Sequence, residues 1–386
     1  MSIKTIGQMY CVDGDLLARQ YKQHISGFED WELRDTAEEY VLFPENIGTH
    51  LSIDETCLSH DELYTIVTNK AFRGKKCSLV AMVKGTKAEV VIDVLRKISA
   101  GKRSLVKEVT LDLSPSMQLI VRRCFPCAIQ VSDRFHVQKL LGEALEEIRI
   151  KHRWEAIDAE NERIKLEKSQ KRQYVPKTYE NGETRRQLLA RSKHLLLMHN
   201  SKWTEVQRKR ADVLFRLYPD IKECYDRYLE LVQIYNLKID HRPTLMTKLA
   251  KWYDRVYKMK LKCFNTVLQT FMNNYQTILN YFDNRSTNAS AESFNAKVKA
   301  FRAQFRGVRG YSILYLQACQ DLCLTYGTAA GKYAGRLLKA NCAAQPKGCS
   351  ACFVPVKRKM QNNLLFTLSR TVPTADVTQE TGQRKK

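Results

Sequence analysis

The predicted fold depends on the run His50-Leu-Ser-Ile-Asp-Glu-Thr-Cys57, whose alternating polarity is typical of a β-strand. Two further β-rich runs follow it at residues 62–68 and 77–83. Residues 69–74, Asn-Lys-Ala-Phe-Arg-Gly, predict a turn between them. Because short connections join antiparallel neighbours, the three runs predict an antiparallel meander.

The next two predicted strands are separated by helices. Apolar residues with helical spacing at 87–99 are followed by a fourth strand at 106–113. Ser114-Pro-Ser-Met opens a short helix, and residues 128–133 form the fifth strand. Helical crossovers allow the later strands to be parallel. The sequence therefore predicts an α/β fold with a ribonuclease-H-like core, a mixed five-stranded sheet with flanking helices.

After the fifth strand the chain is predicted to be mainly helical. Helical periodicity is strong over residues 188–235 and 244–281, whereas the C-terminal part loses it and collects Gly, Pro, Lys and Arg. A large all-helical insertion is therefore expected to interrupt the core. The predicted organisation is an N-terminal segment without an assigned role at 1–47, the first part of the core at 48–149, the insertion at 150–280, the catalytic helix that closes the core at 281–327, and a basic, loose tail at 328–386.

Two acids lie on strands that are predicted to be neighbours in this sheet. Asp54 lies in the centre of the first strand, and Asp112 lies at the C-terminal end of the fourth. The first and fourth strands are neighbours in a ribonuclease-H-like sheet, so the two carboxylates would lie side by side and repel unless a divalent cation neutralises them. Hard oxygen ligands suit Mg²⁺, and two such ions can activate a nucleophile at a phosphodiester. Either acid alone would be interpreted as an exposed strand-end residue.

The run from Asn288 to Arg306 contains no Gly or Pro and predicts a helix with two different sides. At about 100° per residue, the apolar side carries Phe294, Val298, Phe301 and Phe305. The polar side carries Glu292, Asn295, Lys299, Arg302 and Arg306. A salt-bridged surface usually alternates its charges, whereas this side has one acid ahead of three cations. We therefore predict that Glu292 is the last metal ligand and that the cations follow a phosphate backbone.

The net charge of +23 indicates an acidic partner, with nucleic acid favoured over a membrane surface. The sequence has no run of about 18 apolar residues, and its N-terminus lacks the apolar core of a signal peptide. The 12 cysteines are scattered, as expected of reduced thiols in a cytosolic protein. Any one cation is a solvated surface charge by default, but their density near the acids favours DNA contact. The predicted DNA-binding residues are Arg122, Arg123, Arg134, Lys139, Lys299, Arg302 and Arg306.

Four blocks carry a resemblance to a known family: Ser52-Ile-Asp-Glu, Thr110-Leu-Asp-Leu-Ser-Pro-Ser-Met, Ile129-Gln-Val-Ser-Asp-Arg-Phe-His-Val-Gln-Lys and Ser286-Thr-Asn-Ala-Ser-Ala-Glu-Ser-Phe-Asn-Ala-Lys-Val-Lys. Through them, over about residues 48–315, the chain resembles the DDE transposases of bacterial insertion sequences, specifically the ISL-three group. Within that group it resembles a subgroup whose catalytic half is a separate reading frame. The resemblance implies that Asp54, Asp112 and Glu292 form the acidic triad.

The resemblance also implies an activity and its requirements. The protein would hydrolyse DNA strands at transposon ends and join the freed 3′-hydroxyl to target DNA, with two Mg²⁺ or Mn²⁺ ions as cofactors. It would act as a homo-oligomer on DNA in the bacterial cytoplasm, associated with the nucleoid. Many relatives carry zinc-finger and helix-turn-helix regions that have no counterpart before residue 48, so a separate DNA-recognition protein is an expected partner. A nuclease that cuts without joining and an inactive DNA-binding descendant are the alternative functions.

The second acid also has an alternative. Asp133-Arg-Phe-His136 resembles the (Cys/Asp)-x-x-His motif of Mutator-like transposases, so Asp133 is a rival to Asp112. The fifth strand lies one ladder step of about 4.8 Å farther from the first, which favours Asp112. We predict that Asp133, His136 and Asn295 support the ligands or replace one of them. An ordinary histidine at a helix start is an equally good interpretation of His136.

Overall fold

The fold is taken from a computed structural model, which describes residues 3–25, 28–59, 62–75, 77–238 and 241–304. Within these ranges six strands form one sheet in the order β1-β4-β3-β2-β5-β6. The strands are β1 (Tyr40–Leu42), β2 (His50–Ser59), β3 (Glu62–Asn69), β4 (Leu79–Lys84), β5 (Glu108–Leu111) and β6 (Ile129–Ser132).

The sheet has an antiparallel part and a parallel part. Strands β2, β3 and β4 form the predicted meander, while β5 is parallel to both β2 and β6. The prediction of five strands was wrong by one, because β1 pairs antiparallel with β4 at the edge of the sheet. This strand has only three residues, too few to display a period of two in the sequence. A mixed sheet with many helices is compatible with a ribonuclease-H-like fold.

The helices flank and extend this sheet. A π-helical turn occupies Tyr21–Ile25, and short 3₁₀ turns occupy Pro44–Asn46, Lys70–Phe72, Asn200–Lys202 and Lys262–Phe264. The α-helices of the described residues are α1 (Ile3–Met9), α2 (Gly14–Gln20), α3 (Ala88–Arg96), α4 (Ala100–Ser104), α5 (Pro115–Cys124), α6 (Arg134–Ser169), α7 (Arg185–Arg191), α8 (Lys193–Leu196), α9 (Glu205–Leu217), α10 (Pro219–Asn236), α11 (Arg242–Lys258), α12 (Asn265–Asn273), α13 (Tyr275–Asn284) and α14 (Ala289–Gln304).

The two faces of the sheet are covered by different helices. On one face, Ile53 and Leu111 are fully buried in a core shared with α3 and α5. On the other, Ile66 lies in a core with Phe294 and Val298 of α14. The predicted apolar side of α14 is therefore buried at these two positions. The side chain of Phe301, together with Phe305 and Arg306, lies outside the described residues.

Helices α6 to α13 share one hydrophobic core, which also includes Val131 of β6 and in which Trp252 is fully buried. The first of them, α6, is a continuous helix of 36 residues that begins directly after β6. The predicted boundary at residue 150 lies inside this helix, so the helical part of the chain begins at Arg134. The predicted tail at 328–386 lies outside the described residues. No helix of the described ranges is long and apolar enough to cross a membrane.

Candidate active site

The register of two parallel strands brings Asp54 and Asp112 together. Ser52 of β2 is paired with Thr110 of β5. Two residues farther along each strand are Asp54 and Asp112, the latter directly after the end of β5. Side chains alternate between the faces of a sheet, so Asp54 lies on the α14 face while Ile53 lies in the core with α3 and α5. The structure therefore confirms that the two acids belong to neighbouring strands.

His136 joins these two acids. Its Nε2 lies 2.7 Å from Oδ1 of Asp112. Asp54, Asp112 and His136 each offer one ligand atom, and these three atoms lie within 4.8 Å of one another. His136 reaches this position because α6 begins directly after β6, which places its first turn at the end of the parallel strands. The side chains of Asp112 and His136 are partly exposed, so the cluster is accessible from solvent.

The charges in this cluster are strongly coupled. Burial, and after it the charge of Asp112, raises the pKa of Asp54 to about 6, and Glu292 acts in the same direction. Burial opposes protonation of His136, but its hydrogen bond to Asp112 and the surrounding carboxylates outweigh this effect, so its pKa is raised. Asp112 contributes to both pKa shifts, so the ionised acids of the site repel one another and attract a positive charge. A cation therefore fits the electrostatics of the cluster, and two carboxylates with an imidazole are suitable ligands for a divalent ion.

Helix α14 brings two further polar residues to the site. Asn295 is only 5% exposed, and its Nδ2 donates a hydrogen bond of 2.6 Å to Oδ2 of Asp54. Glu292 lies in the first turn of α14 and is exposed. Its charge acts on the pKa values of Asp54 and Asp133, although Glu292 is not part of the 4.8 Å cluster. The helix thus brings the charge of Glu292 within electrostatic reach of Asp54, and its Asn295 fixes one oxygen of Asp54.

Asp133, the rival to Asp112, has a different environment. It is 1% exposed and lies outside the cluster of Asp54, Asp112 and His136. Its Oδ1 accepts a hydrogen bond of 3.3 Å from the backbone N–H of Asn288, the residue before α14. Asn288 was not among the residues predicted for the site. Asp133 and Asn288 are separated by 155 residues, so no local pattern could have paired them.

The cations predicted to bind DNA are not gathered in one place. Arg122 and Arg123 are in the last turn of α5, which runs back from the end of β5 to the start of β6. They therefore lie at the opposite end of the parallel strands from Asp112, and the expected clustering with the acids was wrong for these two arginines. The two arginines follow Asp112 closely in the sequence, but α5, a helix of 10 residues and about 15 Å, lies between them and that acid.

The remaining predicted cations differ in their surroundings. Arg134 donates a 2.7 Å hydrogen bond to Asn236 and lies over the ring of Tyr235, so it is engaged within the protein. Lys139 is exposed, with Glu143 3.8 Å away. Lys299 is exposed on α14, whereas Arg302 is partly buried and Arg306 lies outside the described residues.

The chain matches a known protein family over most of its length. A family model described as Transposase, that of the ISL-three DDE transposases, matches residues 51–318. The matched region is more than two thirds of the chain and includes the cluster, Asp133 and the whole of α14. No curated protein matches the chain.

Proposed function

Because the chain belongs to the transposase family of the ISL-three DDE group, we propose that it is the catalytic subunit that cleaves DNA strands at transposon ends and joins them to target DNA. The observation that carries the proposal is the cluster of Asp54, Asp112 and His136, whose ligand atoms lie within 4.8 Å of one another. Its acids come from adjacent parallel strands. Because burial and the charge of Asp112 both disfavour the ionised form of Asp54, a bound cation would stabilise the two carboxylates.

We assign the triad to Asp54, Asp112 and Glu292. These three carboxylates would hold two Mg²⁺ or Mn²⁺ ions, with Glu292 contributed by α14. When bound, the ions supply Lewis acidity that activates a water or 3′-hydroxyl and neutralises charge on the leaving oxygen. His136 contacts one oxygen of Asp112 and Asn295 donates to one oxygen of Asp54, so both side chains would orient the carboxylates that hold the ions.

The proposed function also assigns a role in the fold to the helical region. We take the sheet with α3, α5 and α14 as a ribonuclease-H-like core and α6 to α13 as an insertion within it. Transposon ends and target DNA are the proposed substrates. A homo-oligomer on DNA and a separate recognition protein are proposed partners. In this organisation α14, which carries Glu292, follows the long helical region in the sequence.

Strand-cleavage and strand-transfer assays test the function. The full chain is incubated with Mn²⁺ or Mg²⁺, a labelled duplex that carries the end of the element, and a supercoiled target plasmid. We expect new 3′-hydroxyl ends and joined products, both abolished by Asp112→Asn. Cleavage without joined products would identify a nuclease instead. DNA binding with neither product, at any divalent ion concentration, would identify an inactive descendant.

A further inference from the structure

The segment between α13 and α14 is fixed to the sheet at both of its ends. At the α14 end, the side chain of Asn288 is fully buried and its Nδ2 donates a 3.3 Å hydrogen bond to the carbonyl of Ile53. The backbone N–H of the same residue donates to Oδ1 of Asp133. A single residue therefore joins α14 to the catalytic strand β2 and to the end of β6.

At the α13 end, the anchor is Glu108 of β5, which is 3% exposed. Its Oε2 accepts a 2.9 Å hydrogen bond from Nδ2 of Asn284, and Ser286 also donates to it. Nζ of Lys70 lies 3.3 Å from its other oxygen. This buried acid is thus satisfied by the segment that it holds and by a partly buried lysine, so Glu108 has a structural explanation that needs no ligand.

Asp133 has geometry that suits holding a helix and does not suit chemistry on a substrate. It is almost completely buried, whereas Asp54 and Asp112 are partly exposed. It lies outside the close cluster, and one of its oxygens is occupied by the Asn288 N–H. The carbonyl of Asn288 in turn accepts a 2.9 Å hydrogen bond from the N–H of Glu292. The position of the Glu292 backbone is therefore set one turn beyond the Asp133 anchor.

We propose that Asp133 is a positioning residue that, through Asn288, seats α14 so that Glu292 meets Asp54 and Asp112. The inference rests on the proposed function for its effect on activity, but the contact itself is independent of that function. A misplacement of a reacting group by about 1 Å costs on the order of 100-fold in rate. Loss of the anchor should therefore slow strand cleavage without removing any ligand.

The test compares Asp133→Asn with Asp133→Leu, and Asp112→Asn serves as the matched change at a proposed ligand. The amide oxygen of Asp133→Asn still accepts from Asn288, so cleavage should remain within about tenfold of the parent protein. Asp133→Leu has no acceptor, and its cleavage rate should fall by about 100-fold. Amide hydrogen exchange without metal supplies the second readout. Exchange at residues 289–293 should be faster in Asp133→Leu and unchanged in the other two variants.

The outcomes separate the two proposals. If Asp133→Asn is as inactive as Asp112→Asn with unchanged exchange, Asp133 acts chemically and the inference is overturned. Unchanged exchange in Asp133→Leu also overturns it. If Asp112→Asn keeps full activity, the proposed function fails, while the exchange data still decide the anchor. Should Asp133→Leu not fold, Asp133→Ala removes the same acceptor of the Asn288 N–H with a smaller side chain, and the same faster exchange at 289–293 is expected; parent-like exchange would contradict the anchor.

Discussion

Asn295 donates a 2.6 Å hydrogen bond from its side-chain amide to Oδ2 of Asp54, so the helix that carries Glu292 also holds the acid of the first long strand. The two residues are 241 positions apart in the chain. Because Asn295 is buried, the bond is shielded from competing water. One side of α14 therefore both packs on the sheet and orients a proposed metal ligand.

Removal of this amide should weaken metal binding more than it weakens the fold. We expect Asn295→Ala to lose about 10- to 100-fold in Mn²⁺ affinity, as is usual when a residue that orients a ligand is removed. Isothermal titration calorimetry with Mn²⁺ measures the change. Ala296→Ser, an exposed change at the next position, is the control and should bind Mn²⁺ like the parent. Parent-like affinity in Asn295→Ala would show that Asp54 is oriented without it.

Divalent ions should stabilise the folded protein through the two acids. A ligand at 100 times its dissociation constant adds about 2.7 kcal/mol to the free energy of unfolding. We expect Mn²⁺ to raise the Tm of the parent protein and to have little effect on Asp54→Asn or Asp112→Asn. Without metal, each variant should be at least as stable as the parent, because one of two repelling carboxylates is gone. An undiminished Mn²⁺ effect in Asp112→Asn would remove this residue from the site.

The sequence was most informative where a pattern has a local cause. Asp54 and Asp112 each belong to a strand that polarity reveals, and the parallel register then aligns them. His136 was predicted beside the site because it opens a helix after a strand, but only the fold could distinguish a contact with Asp112 from an ordinary helix start.

Other parts of the site have no local signal. The contact of Asp133 with Asn288 depends on how α14 returns to the sheet after the whole helical region. Arg122 was predicted to lie near the acids because it is close to Asp112 in the sequence, but α5 carries it away from them. Asn295 was assigned to the polar side of its helix by the helical spacing, yet it is buried, because its amide donates to the Asp54 carboxylate of the sheet instead of to water.

Lys299 should contribute to DNA affinity through a phosphate contact. It is exposed and lies seven residues after Glu292, which is two turns farther along the same side of α14. We expect Lys299→Ala to reduce the slope of log affinity against log salt by about 0.9, as one lost phosphate contact would. Lys297 is the control, because its Nζ donates a 2.6 Å hydrogen bond to the carbonyl of Gly74. Fluorescence anisotropy over a salt series should give Lys297→Ala the parent slope; equal slopes for both variants would contradict the assignment.

The packing of α14 on the sheet should depend on Phe294. This residue is 1% exposed and lies in one core with Ile66. Phe294→Ala should lower the free energy of unfolding by about 3–5 kcal/mol, measured by urea denaturation. A pair of valines calibrates the effect of burial. Val298→Ala at the 3% exposed position should destabilise, whereas Val206→Ala at the 67% exposed position should change stability by less than about 0.5 kcal/mol. Equal effects of the two valines would mean that α14 is not packed as described.

The stability of the helical region should depend on pH through Glu183. This acid is 4% exposed and bonds the guanidinium groups of Arg210 at 2.6 Å and Arg191 at 3.0 Å. Burial alone would raise the pKa of Glu183, but the hydrogen bonds from Arg210 and Arg191 outweigh it and hold the pKa below its usual value of 4.5. A carboxyl whose pKa is lower in the folded state stabilises the fold above the unfolded value and loses that effect as pH falls through the folded value.

Glu183→Gln should therefore destabilise the protein by about 3 kcal/mol at neutral pH, since it leaves a partly buried arginine without its charge partner. The difference from the parent should be smaller at an acidic pH below the lowered pKa of Glu183, where this carboxyl is protonated in the parent as well. Urea denaturation followed by circular dichroism at both pH values measures it. Glu180→Gln is the matched control, because Glu180 also pairs with an arginine, Arg216 at 2.8 Å, but both side chains are largely exposed. Its effect should stay below about 1 kcal/mol. A loss in Glu183→Gln that is the same at both pH values would show that the carboxylate charge is not what holds this part of the structure.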